Sequence, residues 1–300
     1  MSLEFLAVVG PTASGKTELG LKLAKEQNGE IISVDSRQVY RHLRVGTARP
    51  RDTRGIPYHL IDFLDPDQRF SAADFVRRAS EKIADIRARG KTPILVGGTG
   101  LYFKALTQGL APLPSASPEI RERLKEEARD GGREKLHERL QKVDPEAAKK
   151  IPANNIQRLV RALEVYELTG KPISLWHREH RLTPTPLPQG EGAKPSGEAG
   201  LHLKFVGIDI SREELLRRIE TRCRTMIEEG MIEETQALLK QGLAENCPAL
   251  TGLGYPRIVA VLKGTMSKEE CLKLLIQDTR QYAKRQMTWF RHQLPVIWNR

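Results

Sequence analysis

Eight residues near the start of the chain, Gly10-Pro11-Thr12-Ala13-Ser14-Gly15-Lys16-Thr17, constrain its fold more than any other feature. A short apolar run at residues 5–9 precedes them. Behind them Leu19, Leu23 and Ala24 recur at helical spacing. A G-x-x-x-x-G-K-[ST] segment between a strand and a helix is the phosphate-loop pattern. Its glycines let the backbone bend until several N–H groups point at one anion, and the helix N-terminus adds partial positive charge. Lys16 supplies a full charge, and the Thr17 hydroxyl is a candidate ligand for Mg²⁺.

The rest of the chain is read around that loop. Residues 31–34 and 93–96 are further buried-strand candidates, and residues 71–89 form a helix that stops at Gly90. Strands alternating with helices predict an α/β fold, a P-loop NTPase-like parallel sheet with flanking helices. From Ser117-Pro118, a good N-cap and first-turn pair, the sequence is helical and charged with no convincing strand. The expected organisation is a first core segment at 1–115, an all-helical insertion domain at 116–181, a flexible Pro/Gly-rich linker at 182–200, and core completion with basic helices at 201–300. A strand at 203–208, a helix opened by a Ser211/Glu214 capping box and a last helix at 267–293 complete the reading.

Composition narrows the partners. The formal net charge of +11 favours a polyanion. Residues 36–54 carry Arg37, Arg41, Arg44, Arg49, Arg51 and Arg54 against Asp52 alone, and the last fifty residues hold nine Lys or Arg. Each zone taken singly reads more simply as a solvated face. Three widely spaced cysteines, Cys223, Cys247 and Cys271, argue against a disulfide framework or a zinc site. With no signal pattern and no apolar run of membrane length, the chain reads as a cytoplasmic monomer without membrane attachment.

The loop indicates a di- or triphosphate, not an ATPase. An ordinary NTPase holds its metal with a carboxylate at a strand end. Here the strand at 93–96 ends in Gly97-Gly98-Thr99-Gly100, so the phosphates suit a leaving group. Asp35 follows the strand at 31–34 and lies at the same sheet edge as the loop, a place for a general base. Its bland alternative is a turn cap with Ser36. Thr99 is placed alike, and alone is as easily a turn residue. Arg222 has no acid three or four positions away on its helix, which leaves an external anion or solvent as its partner.

Seven blocks then fall in one order: Gly10–Thr17, residues 35–40 (DSRQVY), 46–48 (GTA), 58–62 (YHLID), 94–102 (ILVGGTGLY), 157–165 (QRLVRALEV) and 281–291 (QYAKRQMTWFR). Together they resemble the bacterial tRNA dimethylallyltransferases, also called tRNA isopentenyltransferases, over nearly the whole chain. The resemblance implies transfer of a dimethylallyl group from dimethylallyl pyrophosphate to the exocyclic N6 amine of the adenosine 3′-adjacent to the anticodon, releasing pyrophosphate with Mg²⁺ assistance. It implies that Asp35 is the base and that Thr99 contacts the pyrophosphate side of the breaking bond. Gly10, Pro11, Thr12, Ala13, Ser14, Gly15, Lys16 and Thr17 would hold pyrophosphate together with Arg222. Asp35, Ser36, Arg37, Gln38, Thr99, Arg121, Gln157, Arg158, Leu159, Val160 and Arg161 would meet tRNA. Tyr58 and Arg49 are mild departures from the family pattern, and the stretch 182–200 is longer than is usual.

Three other readings share parts of this pattern. An adenylate prenyltransferase would use a free nucleotide, a nucleoside kinase would use Asp35 on a hydroxyl, and a non-catalytic RNA-binding protein would use the loop as a nucleotide switch. The helical segment and basic C-terminus disfavour the first, the absent strand-end acid the second, and the full catalytic set the third.

Overall fold

The computed structural model describes residues 4–179 and 201–299. The expected linker 182–200 therefore lies outside the described residues. Six strands, β1 (Glu4–Val9), β2 (Gly29–Val34), β3 (Tyr58–His59), β4 (Thr92–Gly97), β5 (His202–Ile208) and β6 (Val296–Asn299), form one sheet in the order β3-β2-β4-β1-β5-β6. Every pairing is parallel, with Leu6 opposite Ile94, Ile32 opposite Leu95 and Phe205 opposite Val296. Parallel pairing requires crossovers, and helices supply them.

The helices of the sheet-bearing unit are α1 (Lys16–Glu26), α2 (Ala72–Ala88) and α3 (Gly100–Gln108), followed after the helical unit by α9 (Arg212–Glu228), α10 (Met231–Lys240), α11 (Tyr255–Leu262) and α12 (Lys268–Gln293). Alternation along the strands assigns the two faces. Phe5, Ala7, Val9, Ile32, Val34 and Leu95 share a core with Phe75, Ile83, Phe103 and Phe290. Val8, Ile31, Ile94 and Val96 pack instead with Leu21 and Ala24 of α1. Fully buried side chains such as Ile31, Ile32, Ile94 and Leu95 each contribute roughly 2 kcal/mol. A third cluster gathers Leu43, Ile219, Met231, Leu250, Tyr255 and Leu275 around α9–α12.

The chain divides into two compact units, residues 4–107 with 201–299, and residues 108–179. The second holds α4 (Pro118–Asp130), α5 (Arg133–Val143), α6 (Pro145–Lys150), α7 (Ile156–Thr169) and α8 (Ile173–Glu179), with no strand among its described residues. Its core is Leu124, Leu136, Leu140, Leu159, Leu163 and Val165. Ser117 caps α4 by accepting from the Ile120 N–H, with Pro118 in the first turn.

One local expectation is corrected. Ser211 does cap α9 by accepting from the Glu214 N–H, but Glu214 does not complete the box. Its carboxylate is taken by Arg217 and Arg218 at 2.6–2.8 Å, the stronger charge-assisted partners. The strands β3 and β6 had no counterpart in the sequence reading. Among the described residues no helix is long and apolar enough to cross a membrane.

Candidate active site

Parallel neighbours β1, β2 and β4 bring three loops to one sheet edge, where an open α/β sheet binds its ligands. The loop after β1 turns through Ala13 (φ 64°) and Gly15 (φ 97°) into α1. A left-handed backbone at the helix entry suits glycine, which has no Cβ to clash. No side chain caps α1, so its first-turn N–H groups stay available to an anion. Ser14 is buried and its Oγ has no partner, an orphaned donor under the loop.

Lys16 folds back to donate to the Pro11 carbonyl at 2.6 Å. Its pKa is brought down to about 7, first by burial and then by repulsion from Arg222, with Asp35 opposing. Burial likewise lowers Arg222, which the Asp35 charge partly offsets. Among the described residues no carboxylate lies within ion-pair distance of Arg222. Lys16 and Arg222 thus feel each other's charge and that of Asp35.

Asp35 stands directly after β2. Its Oδ1 accepts from the Arg37 and Gln38 N–H groups at 2.7 and 3.2 Å, which makes it a turn cap as well. Three phenols feel its charge. Tyr58 and Tyr102 are raised chiefly by burial, and Tyr282 is pushed up to about 12 by burial and then by Asp35. Thr99, after β4, accepts the Ser36 N–H at 3.1 Å and donates its own N–H to the Val34 carbonyl. Asp35, Thr99, Lys16 and the loop therefore converge.

The remaining candidates divide. Gln38 is buried and spent internally, accepting from Ser33 Oγ at 2.9 Å and donating to the Thr47 carbonyl at 3.3 Å. Arg37 reaches the Pro248 carbonyl at 2.8 Å. In the helical unit, buried Glu164 receives Arg121 at 2.8 and 3.0 Å and Arg161 at 2.7 Å, so both arginines are anchored. Leu159 and Val160, also expected to meet tRNA, are buried in the core of this unit, which leaves their side chains little exposed surface for a ligand. Only Gln157 and Arg158 of that run are exposed.

The basic zone at 36–54 is also largely paired: Arg41 with Asp65, Arg49 with Asp62, Arg51 with Glu229 and Arg54 with Glu18. Glu234 of α10 fastens this segment by accepting from the Arg44, Val45 and Gly46 N–H groups at 2.6, 2.8 and 3.1 Å and from the Tyr255 hydroxyl at 3.0 Å. A cavity of about 460 Å³ results, lined by Arg44, Arg49, Arg51, Arg217, Arg218 and Arg222 beside Val45 and Met226. Arg218 reaches from it to the Ser14 carbonyl at 3.4 Å.

Sequence reasoning missed Arg218, the three phenols near Asp35, and Gln286, which links two of the loops. Gln286 was legible as an inward position of α12. A buried amide needs partners, and that is the signal that marks it.

Similarity to known proteins identifies the family. The family model described as IPP transferase matches residues 38–293, and one described as isopentenyl transferase matches residues 3–59. A tRNA dimethylallyltransferase of Geobacter metallireducens is 46% identical over 97% of this chain and 90% of its own length. The solved tRNA isopentenylpyrophosphate transferase of Bacillus halodurans is 38% identical with a TM-score of 0.68, covering 99% of this chain and 89% of that one. A eukaryotic dimethylallyltransferase solved acting on tRNA is 26% identical with a TM-score of 0.77, covering 99% and 74%. The chain belongs to the IPP transferase family.

Proposed function

We infer that this protein is a tRNA dimethylallyltransferase, moving a dimethylallyl group from dimethylallyl pyrophosphate to the N6 amine of the adenosine 3′-adjacent to the anticodon. The observation that carries the reading is the meeting of Asp35, Thr99, Lys16 and the glycine-rich loop at one sheet edge, with Arg222, which has no carboxylate partner among the described residues, close enough to act on Lys16 and to be acted on by Asp35. In this reading the sheet-bearing unit is a P-loop core and the helical unit an insertion that grips the anticodon stem. The arginine-lined cavity draws the pyrophosphate-bearing substrate towards the loop.

The chemistry follows from the charges. The allylic C–O bond breaks as the amine nitrogen bonds to carbon. Positive charge collects on carbon and negative charge on the leaving oxygens. The α1 N-terminus, Lys16 and Arg222 are fixed against those oxygens and stabilise them by preorganisation. Asp35 aligns the amine and takes its proton. Thr99 contacts the pyrophosphate side of the breaking bond. The adenine must leave its stack to enter, as base-modifying enzymes require. Asp35, Ser36, Arg37 and the exposed Gln157 and Arg158 are the tRNA contacts this reading keeps.

A divalent metal fits the site as an ion brought by the substrate. No group of three or more His, Cys, Asp or Glu among the described residues forms a metal cage. Thr17 supplies a hydroxyl, and Mg²⁺ characteristically takes its remaining oxygens from phosphates and water. When bound it would neutralise charge on the departing pyrophosphate. We place the enzyme in the cytoplasm, where its tRNA substrate is.

The test is acceptor choice. Protein, Mg²⁺ and labelled dimethylallyl pyrophosphate are mixed with unmodified tRNA, AMP or ADP. Label in tRNA is expected. Label only in the free nucleotide would make this an adenylate prenyltransferase.

A further inference from the structure

The phosphate loop and the strand ends bearing Asp35 and Thr99 belong to different crossovers, and a buried side chain joins them. Gln286 projects from α12 and is 7% exposed. Its Oε1 accepts the Thr12 N–H at 2.8 Å, and its Nε2 donates to the Gly98 carbonyl at 2.9 Å. Turning the amide over would set donor against donor and acceptor against acceptor, so both contacts fix one orientation. From Gly98 the next residue is Thr99, whose Oγ accepts the Ser36 N–H beside Asp35. A continuous path therefore runs from the phosphate loop through Gln286 to the β4 and β2 ends.

Two observations tie this path to function. First, the Thr12 N–H is already engaged, so at this residue the loop is anchored and does not offer its amide to a phosphate. Second, Gly98 leaves room for the amide and nothing more. A Cβ there would lie 2.4 Å from Gln286 Nε2, while its next neighbours are Gln286 Cδ at 3.5 Å and the Gly10 carbonyl oxygen at 3.7 Å.

We propose that Gln286 is a positioning residue for the transfer reaction. Its amide sets the spacing between the loop that holds the leaving pyrophosphate and the strand ends that hold the nucleophile. The inference rests on the prenyl-transfer reading above. An in-line displacement is sensitive to such spacing, and misplacement by about 1 Å costs on the order of 100-fold in rate. Gln286 touches no reacting atom and acts through Thr12, Gly98 and Thr99.

The test is steady-state transfer by wild type, Gln286→Met, Gly98→Ala, Gln286→Ala and the Gly98→Ala/Gln286→Ala pair, with melting temperature and tRNA affinity measured on each. Gln286→Met keeps the side-chain volume and removes both hydrogen bonds. It is expected to lower kcat by about 100-fold while KM for tRNA moves by less than about threefold. Gly98→Ala should lower kcat similarly by displacing the amide. The pair should fall no further than Gln286→Ala alone, because removing the amide removes the clash. A purely structural role would lower the melting temperature and leave kcat per folded molecule unchanged. Two outcomes overturn the proposal: kcat of Gln286→Met within about threefold of wild type, or single losses that multiply in the pair. If wild type itself transfers no prenyl group, the functional reading fails and this inference with it, a result distinct from equal transfer by wild type and variants.

Discussion

On the proposed reading, Lys16 is a single side chain that serves as both ligand and sensor. In the free protein it is tucked against the Pro11 carbonyl, and burial with nearby Arg222 holds its pKa at about 7. A bound pyrophosphate would favour the charged form and raise that pKa. Below pH 7 the lysine is already charged, so binding changes little. Above it, the free lysine is neutral and binding must take up a proton, so affinity falls as pH rises from 7 towards the bound-state value. Calorimetry of inorganic pyrophosphate binding at pH 6 and pH 8, in buffers of different ionisation enthalpy, checks this. Wild type is expected to take up more protons than Lys16→Ala at pH 8 and the same number at pH 6. Equal uptake at both values would remove the lysine from the anion site.

At the scale of elements, the helical unit depends on one buried charge cluster. Glu164 of α7 is fully buried and receives Arg121, Arg161 and the Ser117 N–H. Burial alone would raise its pKa, but these partners outweigh burial and hold it below the ordinary carboxylate value. A depressed carboxylate contributes stability that is present above its unfolded pKa and lost as pH falls through the folded one. The unit should therefore weaken as pH drops below about 4.5. Glu164→Gln, which leaves two arginines without a counter-charge, should cost about 3 kcal/mol. Urea melts monitored by circular dichroism at neutral pH read the loss, and an unchanged midpoint would show that the cluster is not structural. This cluster also explains a limit of sequence reading. The acid that holds Arg121 lies 43 residues away, out of reach of any local pattern, although it is only three from Arg161. The strands β1 and β4 were legible because burial on both faces makes them apolar runs that end at glycine, and β2 because its Ile31, Ile32 and Val34 form a short apolar run that ends at Asp35. Strand β3 has two residues, and β6 is an edge strand exposed at alternate positions, so neither leaves a comparable pattern. Asp35, Thr99 and the loop were legible from their places at strand ends. Gln286 was legible only as an inward position of α12, and its role was not, because its partners lie 274 and 188 residues away.

Across the whole molecule, the net charge of +11 draws a polyanion over long range, yet most of the arginines at 36–54 are held by acids from elsewhere in the chain. Charge alone therefore describes the partner's class and leaves the chemistry to the sheet edge. There, on the proposed reading, the diphosphate of the substrate is a leaving group and Asp35 the base that readies the tRNA amine. Label transfer and tRNA affinity, measured together on wild type and Asp35→Ala, test it most directly. Wild type is expected to label the adenosine beside the anticodon. Asp35→Ala should bind tRNA within about threefold of wild type and turn over about 1,000-fold more slowly. Turnover by Asp35→Ala near the wild-type rate would contradict it.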